Sequence, residues 1–209
     1  MPLLFSENND LVNVGLWNVT EDENYFLDDI HLYNEEREEL EKLSPRKKIQ
    51  WLSSRYLLHQ LTQEEKRLIT AKDNFGKPYL ADSNLHISLS HSGDLAAAIV
   101  GNFPLGIDVQ MKVEKLMRIR TKFLSEREID EIEDYNDLEL IHIYWGAKEC
   151  LFKAYGKGQV DFKKQLYITP IDNRQDFLGT IDKVDCQKQF ILKSIRIGEF
   201  IMVYIVDEN

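Results

Sequence analysis

Strand-like and helix-like runs occur in both halves of this 209-residue chain, and the turn Gly101-Asn102-Phe103-Pro104 falls between the halves. A chain that spends each half on both kinds of element folds as α+β rather than as a helical bundle or a β-sandwich. At about 100–200 residues per domain the length allows one large domain or two small ones. The expectation is two similar-sized lobes, residues 1–103 and 104–209.

In the first half, residues 11–19 (LVNVGLWNV) partly alternate and read as a strand. Residues 34–43 read as a helix. Ser44 is a good N-cap and Pro45 suits the first helical position, so a second helix opens there. Ile49, Leu52 and Tyr56 recur at helical spacing and carry it to about Leu61. Residues 75–80 (FGKPYL) make a Gly/Pro turn and a short extended piece. Residues 85–92 (LHISLSHS) alternate as a strand, and 95–100 (LAAAIV) form a more buried one. In the second half, 105–109 (LGIDV) is a strand. Ser125 and Glu128 match an S-x-x-E capping box that opens a helix to about Tyr135. Residues 138–155 form a longer helix ended by Gly156 and Gly158. Residues 190–197 and 200–206 pair as a hairpin about Gly198.

The net charge of −10 argues against general nucleic-acid binding, which needs Lys and Arg to neutralise phosphates. An anionic ligand must instead meet a local cluster of cations. No apolar run approaches the roughly 20 residues that cross a bilayer. No Lys or Arg precedes Arg37, as a secretory leader would require. The two cysteines, Cys150 and Cys186, lie outside any C-x-x-C pair and suit free thiols in a reducing compartment. A soluble, cytoplasmic protein is expected.

Four segments carry possible chemistry. In GIDVQ (residues 106–110) strand alternation puts Asp108 and Gln110 on one face, Ile107 and Val109 on the other. A carboxylate in an apolar strand needs a partner or a metal, so Asp108 is either a metal ligand or a strand-end cap. In WGAKECLFKAYGKG (residues 145–158) Trp145, Glu149 and Lys153 recur every four residues and share a helix face, with Lys148 beside them. Glu149 and Lys153 are then either a surface ion pair or part of a site, and the apolar company of Trp145, Leu151 and Phe152 favours a cleft. Arg46, Lys47 and Lys48 crowd the positive end of a helix, which suits an anion site or a solvated basic face. Arg55 lies two turns on, and Lys77 sits in the G-K-P turn. Finally, Ser90, His91 and Ser92 offer short hydrogen-bonding groups for a phosphate. Adjacent Ser and His are no argument for a hydrolase, whose triad is assembled from distant residues.

Taken in order, KKIQWLSSRYLL, FGKPYL, ISLSHSG, LGIDV and WGAKECLFKAYGKG resemble the phosphopantetheinyl transferase superfamily, in its larger, surfactin-type form. The last motif is similar to the family's W-x-x-K-E-x-x-x-K. The resemblance implies two related α+β lobes with a pseudo-two-fold, each a small sheet packed with helices, and coenzyme A in a cleft between them. It implies transfer of 4′-phosphopantetheine from coenzyme A to a serine of an apo acyl- or peptidyl-carrier protein, with Mg2+, releasing adenosine 3′,5′-bisphosphate. Position by position it implies Asp108 and Glu149 as metal carboxylates, Glu149 as candidate base and Lys153 as its companion. Ser90, His91, Lys77 and Lys148 fall at coenzyme A contacts, and Lys47 and Arg55 join them as cofactor-binding expectations. Many relatives carry Glu where this chain has Gln110. An amide oxygen or a water would then complete the metal site, and weaker Mg2+ binding is expected. A monomer suffices for such a chain. The rival readings are an inactive coenzyme A-binding module and an acidic scaffold that binds a basic partner.

Overall fold

The computed structural model describes residues 2–132, 134, 136–172 and 175–209. By backbone contacts the chain divides into two compact units, Met1–Asn102 and Phe103–Asn209, each mixing helices with an antiparallel sheet.

The N-terminal unit opens with strands β1 (Leu3–Asn8) and β2 (Val12–Asn18). Helices α1 (Glu23–Asp29), α2 (Asn34–Glu41) and α3 (Pro45–Thr62) follow. The hairpin β3 (Thr70–Lys72) and β4 (Pro78–Leu80) leads to β5 (His86–Ser92) and β6 (Leu95–Gly101). The main sheet runs β1-β2-β6-β5. Strand β6 is buried along its whole length, because it is central and has apolar side chains on both faces. Helix α3 packs Leu57, Leu58 and Leu61 on this sheet. It lies close because Gly15 of β2 has no Cβ: a methyl there would stand 2.8 Å from Leu57 Cδ1. Ser44 occupies the N-cap as expected and Pro45 the first turn, although the Ser44 hydroxyl makes no capping bond. Helix α1 was not legible beforehand. Asp22 caps it by accepting from Tyr25 N at 3.1 Å, and Phe26 anchors it against Leu52 and Trp51.

The C-terminal unit holds β7 (Ile107–Met111), α4 (Lys115–Ile119), α5 (Glu126–Glu131), α6 (Leu138–Tyr155), β8 (Leu166–Asp172), β9 (Asp176–Lys183), β10 (Cys186–Ile197) and β11 (Phe200–Glu208). The sheet order is β7-β11-β10-β9-β8. Both halves of the capping box form: Ser125 Oγ accepts from Glu128 N at 3.2 Å and Glu128 Oε2 accepts from Ser125 N at 2.7 Å. Helix α5 nevertheless stops at Glu131, and Tyr135, the expected end, lies outside the described residues. Helix α6 runs as its pattern dictates, from the Asp137 cap to Gly156 in the left-handed region at φ 70. Its apolar side, including Leu140, Ile141, Ala147 and Leu151, packs on the sheet. Strands β8 and β9 were missed, since Pro170 and Gly179 interrupt their pattern. Among the described residues no helix is long and apolar enough to cross a membrane.

Candidate active site

Helix α6 packs closely on strand β7. A methyl on Gly106, just before β7, would overlap the backbone carbonyl of Cys150. Only glycine permits that approach. Ile107 and Val109 are buried on one face of β7, and Asp108 and Gln110 turn toward α6. The close packing therefore sets Asp108 against the helix turn that carries Glu149 and Lys153.

Lys153 does not simply pair along its own helix. Its Nζ reaches across to β7 and donates to Asp108 Oδ1 at 2.9 Å and to the Ile107 carbonyl at 2.6 Å. Glu149 is half-buried on the same turn. Burial, and then the negative charge of Asp108, push its carboxyl up to about 7, against the opposing pull of Lys153. Two carboxylates and an ammonium are thus held together by a strand and a helix. The acid pair carries more negative charge than one lysine relieves, which is the setting a hard cation fits. Among the described residues no group of three or more His, Cys, Asp and Glu side chains gathers for a metal.

Gln110 points elsewhere. Its Nε2 donates to the His142 carbonyl at 3.0 Å, nearer the start of α6. His142 is fully buried; its Nδ1 meets the Leu138 carbonyl at 2.7 Å and its Nε2 accepts from Val113 N at 3.0 Å. These partners require the neutral tautomer protonated on Nδ1. Burial, the largest influence, holds the imidazole below its ordinary pKa.

Lys148 is the clearest departure from expectation. It was expected at coenzyme A, yet it is wholly buried. Its Nζ meets Glu128 Oε2 at 2.7 Å and the carbonyls of Phe123, Phe162 and Leu166 at 2.7, 2.9 and 2.8 Å. These acceptors use all its N–H groups, so none is left for a ligand. Glu128 also accepts from Ile168 N at 2.9 Å, so the capping carboxylate doubles as the lysine's counter-ion. The rings of Phe123 and Phe162 flank half-buried Trp145, with centroids 5.0 and 5.5 Å away, and Phe152 extends the row. This row beside Glu149 is not legible in the sequence. Spacing showed Trp145 and Phe152 on one helix, but nothing local pointed to Phe123 or Phe162.

In the N-terminal unit, Lys47 is exposed in the first turn of α3, and Ser90 and His91 end β5, the serine buried and the histidine exposed. Gln50 Nε2 bonds the Gly93 carbonyl at 3.3 Å, which ties the start of α3 to the β5–β6 turn beside them. Lys77 is half-buried on the β3–β4 turn, where Gly76 takes φ 83 and Asp73 accepts from Lys77 N at 2.9 Å. Burial lowers its ammonium pKa. Arg55 is 8% exposed, its guanidinium lies 4.2 Å over the Trp51 ring, and Nη1 donates to Ser54 Oγ at 3.2 Å. Burial lowers its pKa to about 10. The guanidinium is thus enclosed beside Trp51, and its buried Nε has no hydrogen-bond partner among the described residues.

Residues 104–202 match the family model of the 4′-phosphopantetheinyl transferase superfamily. Over those residues the C-terminal unit is similar to that superfamily. The phosphopantetheinyl transferase gsp of Aneurinibacillus migulanus is 28% identical over 110 residues, 51% of this chain and 46% of the relative. A 4′-phosphopantetheinyl transferase of Bacillus subtilis is 32% identical over 88 residues, 40% of this chain and 39% of the relative. The transferase Sfp of Bacillus subtilis (strain 168) is 27% identical over 104 residues, 48% of this chain and 46% of the relative. Each match spans less than half of the relative's length. Asp108, Glu149 and Lys153 all lie within the segment that matches the superfamily.

Proposed function

We propose that this chain transfers the 4′-phosphopantetheine group of coenzyme A to a serine of an apo carrier protein, uses Mg2+, and releases adenosine 3′,5′-bisphosphate. The observation that carries this reading is the placement of Lys153 on Asp108 beside a Glu149 whose carboxyl is pushed up to about 7. The matched relatives, all named as 4′-phosphopantetheinyl transferases, support the same reaction.

Asp108 and Glu149 would hold the metal, since Mg2+ takes oxygen ligands from one or two carboxylates and completes its shell with phosphates and water. Bound there, it would neutralise charge on the pyrophosphate oxygens. The chain's own groups do the rest. The serine oxygen bonds to the phosphorus that carries pantetheine. Glu149 takes the serine proton, directly or through a water. The bond from that phosphorus to the bridging oxygen breaks, and its electrons leave with the adenosine bisphosphate. Lys153 balances the departing phosphate. Lys47, Lys77, Ser90 and His91 of the N-terminal unit contact coenzyme A in this reading. The row Phe123, Trp145, Phe162 and Phe152 offers an apolar wall beside Glu149.

The carrier docks on the segment after β7. Met111 and Val113 are exposed there, as are Lys115, Arg118 and Lys122. Such a patch suits an acidic partner, against the overall charge of this protein. Arg118→Glu with Lys122→Glu should slow transfer to carriers and leave coenzyme A binding unchanged. An unchanged transfer rate removes the patch. The reaction itself is tested by incubating the protein with coenzyme A, Mg2+ and a panel of apo carriers and reading intact mass. The phosphopantetheine adduct should form, and should vanish with EDTA or with Asp108→Ala. Coenzyme A binding without any adduct would make the chain an inactive binding module.

A further inference from the structure

We infer that Gln110 is not a metal ligand but a strap that ties β7 to α6, so that the metal set of this chain is two carboxylates, Asp108 and Glu149. The inference rests on the metal reading proposed above and deepens it. The His142 carbonyl can only accept, so the amide must present its nitrogen to the helix, and it does so at 3.0 Å. The amide nitrogen lies at the level of Gly146, three residues and roughly 4.5 Å of helix rise before Glu149 at about 1.5 Å per residue. Its N–H is therefore committed to the backbone of α6 on the N-terminal side of the acid pair.

Gly146 provides the room for this. A methyl at Gly146 would lie 2.9 Å from Gln110 Nε2 and 3.0 Å from Val203 Cγ2. Residue 146 sits between His142 and Glu149 on the helix, so a small residue there and an amide at 110 are matched parts. The anchor is itself fixed, because His142 is buried and bonded at both ring nitrogens to Leu138 O and Val113 N. Strand β7 is thus held on α6 at two levels: Lys153 on Asp108 and Ile107 O at one, Gln110 on His142 O at the other. A carboxylate at position 110 would set two acceptors against each other at the second level. The donor set agrees, since no third acidic or imidazole ligand joins Asp108 and Glu149 among the described residues.

The test measures Mg2+ binding calorimetrically, with the metal alone, and melting of the metal-free protein. Asp108→Asn should weaken Mg2+ binding on the order of ten- to a hundredfold, at least what partners outside the coordination shell are worth. Gln110→Ala should bind Mg2+ within about twofold of wild type, yet melt about 2–4 °C lower, the loss of one hydrogen bond in a chain of this length. Gln110→Glu should melt lower still and should not bind Mg2+ more tightly. Gly146→Ala should lower the melting temperature of wild type more than that of Gln110→Ala, because the strap is already gone in the latter. A loss of Mg2+ affinity in Gln110→Ala on the scale of Asp108→Asn, or tighter binding in Gln110→Glu, makes the amide a ligand and overturns the inference. Independent melting effects at 110 and 146 overturn it as well. If Asp108→Asn leaves Mg2+ binding unchanged, the metal reading is what fails, and the metal-free coupling between 110 and 146 still decides the strap.

Discussion

The two units hold their candidate polar groups in different ways. In the C-terminal unit Asp108, Glu149 and Lys153 project from the middle of a strand and a long helix, and the contact at Gly106 fixes the spacing between those elements. In the N-terminal unit Lys47, Lys77 and His91 sit at a helix start, a hairpin turn and a strand end. Bond-making needs groups at fixed mutual distances, and the interiors of packed elements provide that. Holding a flexible anionic cofactor needs reach and positive charge, which the ends of elements supply. The contrast predicts that C-terminal substitutions act on turnover and N-terminal ones on affinity.

Glu149→Gln tests it most severely. Losing the base should lower kcat by about 10²–10⁴-fold with little change in KM for coenzyme A, read in steady-state transfer assays. A change in KM alone would collapse the distinction. Next in size is Lys148→Met, which strands the Glu128 carboxylate in a fully buried place. It should cost about 3–5 kcal/mol in denaturant unfolding, because an unpaired buried charge remains. A variant of normal stability with weakened coenzyme A binding would return Lys148 to the cofactor. On the other side of the comparison, Lys77→Ala should raise KM for coenzyme A about tenfold, the worth of one charged hydrogen bond, and spare kcat. The smallest effect concerns His142. Its pKa is depressed in the folded state, so the unfolded chain takes up the proton first as pH falls. Stability is therefore fully present above about 6.5 and declines as pH drops below it. Imidazole signals in NMR should show this ring taking up its proton at a lower pH than an unburied histidine does.

Helix α6 was legible from residues 138–155, because one amphipathic period, an Asp cap and a closing glycine all agree. The face shared by Glu149 and Lys153 followed from the same period. The direction of Lys148 did not. It neighbours Glu149 in sequence but lies about 100° round the helix and faces inward, toward carbonyls at 123, 162 and 166 that only the tertiary fold brings near. The surroundings of Arg55 were hidden for a related reason: its spacing from Lys48 suggests a shared basic face, whereas its guanidinium lies over the Trp51 ring. Gln110 shares a strand face with Asp108, as alternation required. Which partner it would take depended on how far along α6 the strand crosses, and no local pattern carries that.

Gly106 has a bearing on anyone who would rebuild this arrangement elsewhere. The obstacle facing a side chain at that position is the Cys150 backbone, which cannot be trimmed by a second substitution. The spacing between the acid on the strand and the acid on the helix is therefore not free to drift while the surrounding sequence changes. A graft of Asp108, Glu149 and Lys153 into a new scaffold has to carry the glycine with it, or the three groups will arrive with the right chemistry at the wrong separation.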